Sequence, residues 1–286
     1  MKGRFRRGGR FLGAVPLEEA RAVLVGMPLD ATTSFRGGTR EAPARVREVS
    51  DVLEAYSLEL DRGLDRHPLA DAGDVELVPG NVALSLERIE EAVDGLLEAG
   101  KLPLGVGGEH LASLGTFRAL ARRYPELHVI HLDAHADLRD RYEGEALSHA
   151  TVLRRIAEAL PPGRVHQFGI RSAVPEEMEF ARERTELVPV EVLEPVRRLV
   201  GSGRLAGAPV FLTVDIDVVD PAYAPGTGAP EPGGIGSREL LQALYALAPL
   251  QVVAFDVMEI SPPRDLSERT SILGAKLIRE AALLWG

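Results

Sequence analysis

Short apolar runs punctuate the chain, each closed by polar or glycine residues. They cover 22–25, 102–106, 129–132, 165–170, 210–214 and 252–257. Runs of this length with such boundaries predict buried parallel strands. Amphipathic segments at 111–123, 150–159, 237–247 and 267–284 alternate with them and predict helices, the last two opening on Ser237 and Ser267 as N-caps. Strand followed by helix, repeated, predicts an α/β fold whose mostly parallel sheet is covered on both faces. No low-complexity linker or internal repeat divides the chain, so a single domain over residues 1–286 is expected. The basic, Gly-rich stretch 1–12 is read as a flexible N-terminal tail. The Pro/Gly-dense stretch 221–236 lies between a strand and a helix, where it reads as a long loop over a site.

Composition narrows the function classes. The 286 residues carry a formal net charge of −10 and are 45% hydrophobic, enough apolar surface to offset chain entropy. An acidic balance argues against nucleic acid or an anionic membrane as partner. The absence of cysteine excludes disulfides, thiolate catalysis and Cys-ligated zinc. No apolar run approaches the roughly 20 residues of a membrane span, and no apolar core follows the basic start, so a cytoplasmic protein is expected. Asn81 is the sole asparagine and only Lys2, Lys101 and Lys276 are lysines. This pattern fits heat adaptation and equally fits codon bias in a GC-rich genome.

In open parallel sheets reactive groups collect at the carboxyl ends of strands, and three predicted strand ends here carry metal-type ligands. They are His110, the triplet Asp133, His135 and Asp137, and the pair Asp215 and Asp217. A two-residue spacing along an extended strand end predicts side chains on one face. Four carboxylates would repel one another in a buried pocket without compensating charge. Two divalent cations supply that charge, and oxygen-rich ligation with some imidazole favours Mn²⁺ over Zn²⁺. A close metal pair lowers the pKa of a shared water and makes it a nucleophile. Glu259, after the run 252–257, adds negative charge to the rim, so the site suits a planar guanidinium rather than a phosphate ester. His128, His131, His67 and His166 fall off the ligand pattern and read as structural, Glu109 as orienting its neighbours, and Asp220 as bracing the following loop.

The run Gly107-Gly108-Glu109-His110, the triplet at 133–137 and the segment 215–221 together resemble the ureohydrolases, which include arginase and agmatinase. The loop 222–234 and the segment 256–263 resemble the agmatinase branch, with weaker echoes at Gly26 to Asp30, at Ser34, Arg36, Gly38 and Arg40, and at 71–74. The resemblance implies a three-layer α/β/α domain with a dinuclear manganese centre, two Mn²⁺ per subunit, that hydrolyses a guanidino group to urea and an amine. It implies His110, Asp133, Asp137 and Asp215 around one ion and His135, Asp133, Asp215 and Asp217 around the other. It further implies that Glu259 holds the guanidinium, that His149 shuttles a proton to the leaving amine, and that Asp217 can assist that transfer. A homo-oligomer, trimer or hexamer, is implied as well.

The substrate is less legible. Agmatine or an agmatine derivative such as aminopropylagmatine, in polyamine synthesis, is the leading reading. Asp140, Glu143 and Glu145 can meet a distal ammonium, whereas Arg139 and Arg141 can grip a carboxylate, as in guanidinobutyrate. Formiminoglutamate and arginine stay open. So does a catalytically silent metal-binding protein, although such a protein has no need of His149 and Glu259.

Overall fold

The computed structural model describes residues 5–6 and 9–286. In chain order the strands are β1 (Phe5–Arg6), β2 (Ala22–Met27), β3 (Tyr56–Ser57), β4 (Arg62–Gly63), β5 (Leu69–Val75), β6 (Leu102–Gly107), β7 (His128–Leu132), β8 (Val165–Ile170), β9 (Thr185–Pro189), β10 (Pro209–Asp215) and β11 (Gln251–Met258). The helices are α1 (Ala42–Ser50), α2 (Val82–Glu98), α3 (Ser113–Arg123), α4 (Val152–Ala159), α5 (Pro175–Arg184), α6 (Leu193–Gly201), α7 (Ser237–Ala246) and α8 (Arg269–Trp285). Nine of these strands form one sheet in the order β1-β5-β2-β6-β11-β10-β7-β8-β9, while β3 and β4 pair apart. Every pairing in the large sheet is parallel except β1 with β5.

The central strands are apolar on both faces because helices cover both. Residues of α1, α6, α7 and α8 share one hydrophobic core with the sheet, and residues of α2 to α5 share the other. The result is a three-layer α/β/α domain. The six expected strands and four expected helices are all present, with ends moved by a few residues. What the apolar pattern did not mark is β5, whose LADAGDV run mixes acids with small residues, and β9, a partly exposed edge strand. Among the described residues no helix is long and apolar enough to cross a membrane.

Local capping differs from expectation at two helices. Ser237 is already the first residue of α7, and Gly236 occupies the cap without a side-chain bond. At α8 the residue before the helix is Glu268 in a left-handed conformation, and the Asp265 carboxylate serves the first turn instead, accepting from the Thr270 N–H and hydroxyl at 2.7 Å each. A carboxylate near the positive end of a 17-residue helix is better placed electrostatically than a hydroxyl. Asn81 caps α2 through the Leu84 N–H, a contact typically worth about 1 kcal/mol.

Of the stretch 1–12 expected as a tail, residues 1–4 and 7–8 lie outside the described residues. The rest is held: Phe5 and Arg6 pair with Val75 and Asp74, and the Phe11 side chain is buried while its N–H donates to Asp71. Burial of one aromatic ring and a strand pairing are enough to order a short segment that composition alone marks as loose.

Candidate metal centre

Four neighbouring strands, β6, β11, β10 and β7, bring their carboxyl ends together. Sequence order jumps between β6 and β11, so the site sits at a topological switch point of the sheet, where crossovers leave room for a ligand. Register does the fine placement. Val214 of β10 lies beside Leu132 of β7, which sets the next residues, Asp215 and Asp133, side by side. On its other edge Asp215 is level with Met258, one residue before Glu259.

Beyond the strand ends the chain turns, and the expectation of an extended, alternating strand end is corrected here. Asp133 Oδ1 accepts the His135 N–H at 2.6 Å, and Asp215 Oδ1 accepts the Asp217 N–H at 2.8 Å. Each first aspartate thus closes a turn over the residue two places on, an Asx turn built into the DxH and DxD spacing. Residues 216–218 form a turn of 3-10 helix, and Asp137 and Glu259 take left-handed backbone conformations, φ 54° and 63°. Convergence comes from these turns, and the strained conformations of two acids at one site cost stability that packing elsewhere must offset.

The side chains meet around two imidazoles. His110 Nδ1 lies 3.1 Å from Asp133 Oδ2, 3.4 Å from Asp215 Oδ2 and 3.6 Å from Asp137 Oδ2. His135 Nδ1 lies 2.9 Å from Asp217 Oδ2 and 3.7 Å from Asp133 Oδ1. Asp133 therefore turns one oxygen to each imidazole. Two groups of donor atoms are close enough to hold an ion, His110 with His131, Asp133 and Asp137, and Asp133 with His135 and Asp217. His131, set aside in the sequence, enters the first group. Its Nε2 lies 2.7 Å from Asp133 Oδ2 and its Nδ1 3.1 Å from the Gln167 amide, so it also braces Asp133.

The donor chemistry fits divalent cations. His110 Nδ1 is buried and makes no hydrogen bond, although three carboxylate oxygens surround it. A buried nitrogen facing three carboxylate oxygens is a donor set of the kind a divalent cation would satisfy. Burial pushes Asp137 and Asp215 well above the usual carboxylate range, reinforced by the Asp133 charge at both and by Asp217 at Asp215. Burial also lifts Glu259, to about 8, against the pull of the His110 N–H on its Oε1 at 2.7 Å. Burial works against a charged His135, yet the Asp217 carboxylate beside it raises its pKa to about 11. A bound divalent cation would oppose these upward shifts of the acids.

Supporting residues explain the motif glycines and polar strand positions. A Cβ on Gly108 would sit 1.7 Å from the Leu29 carbonyl oxygen, so only glycine lets this turn pass under the 27–29 segment. On the far side of His110, Nε2 lies 2.9 Å from the Thr213 hydroxyl. Asp256, fully buried in β11, accepts from Ser113 at 2.9 Å, beside Thr213, and burial raises its pKa to about 6. Such partners aim a ligating imidazole. The signal for Asp256 was legible, a lone acid inside an otherwise apolar strand.

A cavity of about 230 Å³ opens over the cluster, with His135, Asp137, Asp215, Asp217 and Glu259 among its lining residues and His149, Arg139, Tyr142 and Phe35 towards its sides. The Pro/Gly-rich loop contributes Thr227 to Ala229 and is pinned in place. Asp220 accepts the N–H groups of Ala222, Gly233 and Gly234, while Arg171 donates to the carbonyls of Asp217 and Glu231. Of the loop charges, Asp140 pairs with Arg155, and neither it nor Glu143 or Glu145 lines the cavity. His149 is half-buried, its pKa lowered by burial, and Tyr142 packs edge-on to its ring at 5.4 Å.

A family model described as Arginase family matches residues 20–284. The chain belongs to the arginase family. Within it, an agmatinase from Bacillus cereus is 49% identical over 271 residues, covering 94% of this chain and 93% of that protein. An agmatinase from Bacillus subtilis is 49% identical over 269 residues, covering 93% and 92%. The crystal structure of the agmatine ureohydrolase of Thermoplasma volcanium superposes with a TM-score of 0.88 at 32% identity, covering 97% of this chain and 94% of that one. These likenesses put the chain in the agmatinase branch of the family, and it is an enzyme, a hydrolase of the ureohydrolase type.

Proposed function

We propose that this ureohydrolase acts on agmatine, releasing urea and a diamine, with two Mn²⁺ ions held by His110, Asp133, His135, Asp137, Asp215 and Asp217. The observation that carries the reading is the acid floor of the cavity, which has no arginine or lysine partner among the described residues and stands in a chain 49% identical to agmatinases. When bound, the metal pair supplies the charge that lets these acids coexist and the Lewis acidity that makes water nucleophilic near neutral pH.

The protein's own groups do the rest. Asp133, with one oxygen towards each imidazole, is suited to share both ions, and Asp215 beside it is suited to the same role. Glu259, its Oε1 anchored by the His110 N–H, presents its other oxygen for a guanidinium N–H. Binding that cation lowers the Glu259 pKa again, so substrate and carboxylate select each other's charged forms. As the central carbon becomes tetrahedral, Glu259 keeps the remaining nitrogens aligned. The departing amine nitrogen needs a proton, and His149 on the cavity wall is suited to give it, with Asp217 as an alternative donor.

Arg139 favours a second reading. Its guanidinium sits over the Tyr142 ring at 5.2 Å, lines the cavity and has no carboxylate partner among the described residues. A guanidino acid such as guanidinobutyrate would meet it. Urea release with Mn²⁺, measured for agmatine, aminopropylagmatine, guanidinobutyrate and arginine, tests both. The highest kcat/KM is expected for agmatine. A clear preference for guanidinobutyrate would shift the assignment to the Arg139 reading, and no urea from any of the four would overturn both. The family likeness also supports a homo-oligomer, which light scattering after gel filtration would check.

A further inference from the structure

Glu109 is fully buried beside the candidate ligand His110, yet it belongs to neither donor group. Its carboxylate is committed elsewhere. Oε2 accepts the N–H groups of Ala31 and Thr32 at 2.7 Å each, and Oε1 lies 2.8 Å from the Thr32 hydroxyl oxygen. Two backbone N–H groups on Oε2 and the Thr32 hydroxyl on Oε1 engage both carboxylate oxygens as acceptors. The single hydroxyl proton of Thr32 therefore points to Glu109.

The Thr32 oxygen keeps two lone pairs. One takes the His149 backbone N–H at 3.0 Å, and the other faces His149 Nδ1 at 3.3 Å. An oxygen whose proton is engaged can only accept from Nδ1, so contact between them requires a proton on that nitrogen. Ser148 Oγ is also 3.3 Å from Nδ1 and takes the Ala150 N–H at 3.4 Å. Its own proton is free to turn either way, so it does not oppose the choice.

We propose that Glu109, acting through Thr32, is a positioning device that keeps the His149 proton on Nδ1 and leaves Nε2 as the nitrogen that handles protons in the cavity. The functional half of this statement rests on the shuttle role given to His149 above; the tautomer does not. In that role a protonated ring gives its Nε2 proton to the departing amine as the C–N bond breaks, and Nε2 then regains one from solvent. Nδ1–H stays bonded to Thr32 throughout.

The test is spectroscopic first. Solid-state ¹⁵N spectra of histidine-labelled enzyme loaded with diamagnetic Mg²⁺ are recorded at about pH 8, above the ordinary histidine pKa of about 6.5. The signal missing from His149→Asn identifies the residue. It is expected as the Nδ1–H tautomer in the wild type and in Thr32→Ser, and as a mixture or the other tautomer in Thr32→Val. With Mn²⁺ and the preferred guanidino substrate, Thr32→Val should lose kcat by about 10- to 100-fold, as weakened proton transfer does, while Thr32→Ser keeps most of it. KM should move by no more than about twofold, because substrate binding is not touched. An Nε2–H tautomer in the wild type, or an unchanged Nδ1–H signal in Thr32→Val, overturns the proposal. Full turnover in His149→Asn would instead remove the shuttle role and leave the tautomer assignment standing.

Discussion

Asp71 and Asp133 both bury their side chains beside parallel strands, 3% and 1% exposed. Asp71 meets the guanidinium of Arg47, itself fully buried, through two hydrogen bonds of 2.8 and 3.0 Å, and Arg47 reaches Asp74 as well. Asp133 and its acidic neighbours meet imidazoles and backbone N–H groups, and no arginine or lysine among the described residues. The chain can therefore neutralise buried aspartates with its own arginine, and at the strand ends it does not. A fixed guanidinium stabilises the fold and occupies the space. Imidazole with carboxylate is instead a donor set that a divalent cation could occupy.

The largest effect that would sharpen this contrast is on stability. Arg47→Met should strand Asp71 as a buried, uncompensated charge and cost about 3–5 kcal/mol in urea unfolding. A loss below about 1 kcal/mol would mean that water already reaches the network and the contrast fails. Next is Asp137→Asn. It should lose bound Mn²⁺ and activity together, by about 100- to 1000-fold in kcat/KM if the ion is the main stabiliser of developing charge. In the metal-free enzyme the same change should leave stability equal or higher, since it removes a repelling acid. A metal-free variant much less stable than the parent would show that Asp137 serves the fold as Asp71 does.

The smallest effect comes from a third charged group, at the opposite ends of β7 and β8. His128 and His166 stack there, with Glu186 bonded to His166 and Arg164 bonded to His128. Burial, then the neighbouring His166 and Arg164 cations, lower the His128 pKa to about 4. The folded state thus binds this proton less readily than the unfolded chain, whose histidine titrates near 6.5. Its contribution is complete above about pH 6.5 and fades as pH falls towards 4. Discounted for partial exposure, the loss at pH 5 relative to pH 7 is about 1 kcal/mol. His128→Gln should flatten that part of the profile, and an unchanged slope would assign it to other groups.

Legibility in the sequence followed chemistry closely. The six central strands stood out because helices on both faces make most positions apolar. The acids and histidines at their ends stood out because charges seldom close such runs. What could not be read was the path of the chain after each strand. The Asx turns of Asp133 and Asp215 depend on backbone donors whose direction spacing does not encode. His131 lies outside the triplet and reads as structural, yet its two-residue spacing from Asp133 puts the two on one side of the strand, and its ring meets that carboxylate. Thr32 carried no signal at all, since its partners Glu109 and His149 lie 77 and 117 residues away.

By itself the sequence determined the layer architecture, most of the acids and histidines that gather at the strand ends, and the sign of the site. These follow from local periodicity and from residue chemistry, which need no knowledge of neighbours. Tertiary structure alone decided which oxygen of Asp133 faces which imidazole, which acids Arg47 rather than a metal would neutralise, and which loop charges reach the cavity. Those outcomes depend on strand register and on contacts between segments far apart in the chain, where a shift of one or two ångströms makes or breaks a hydrogen bond.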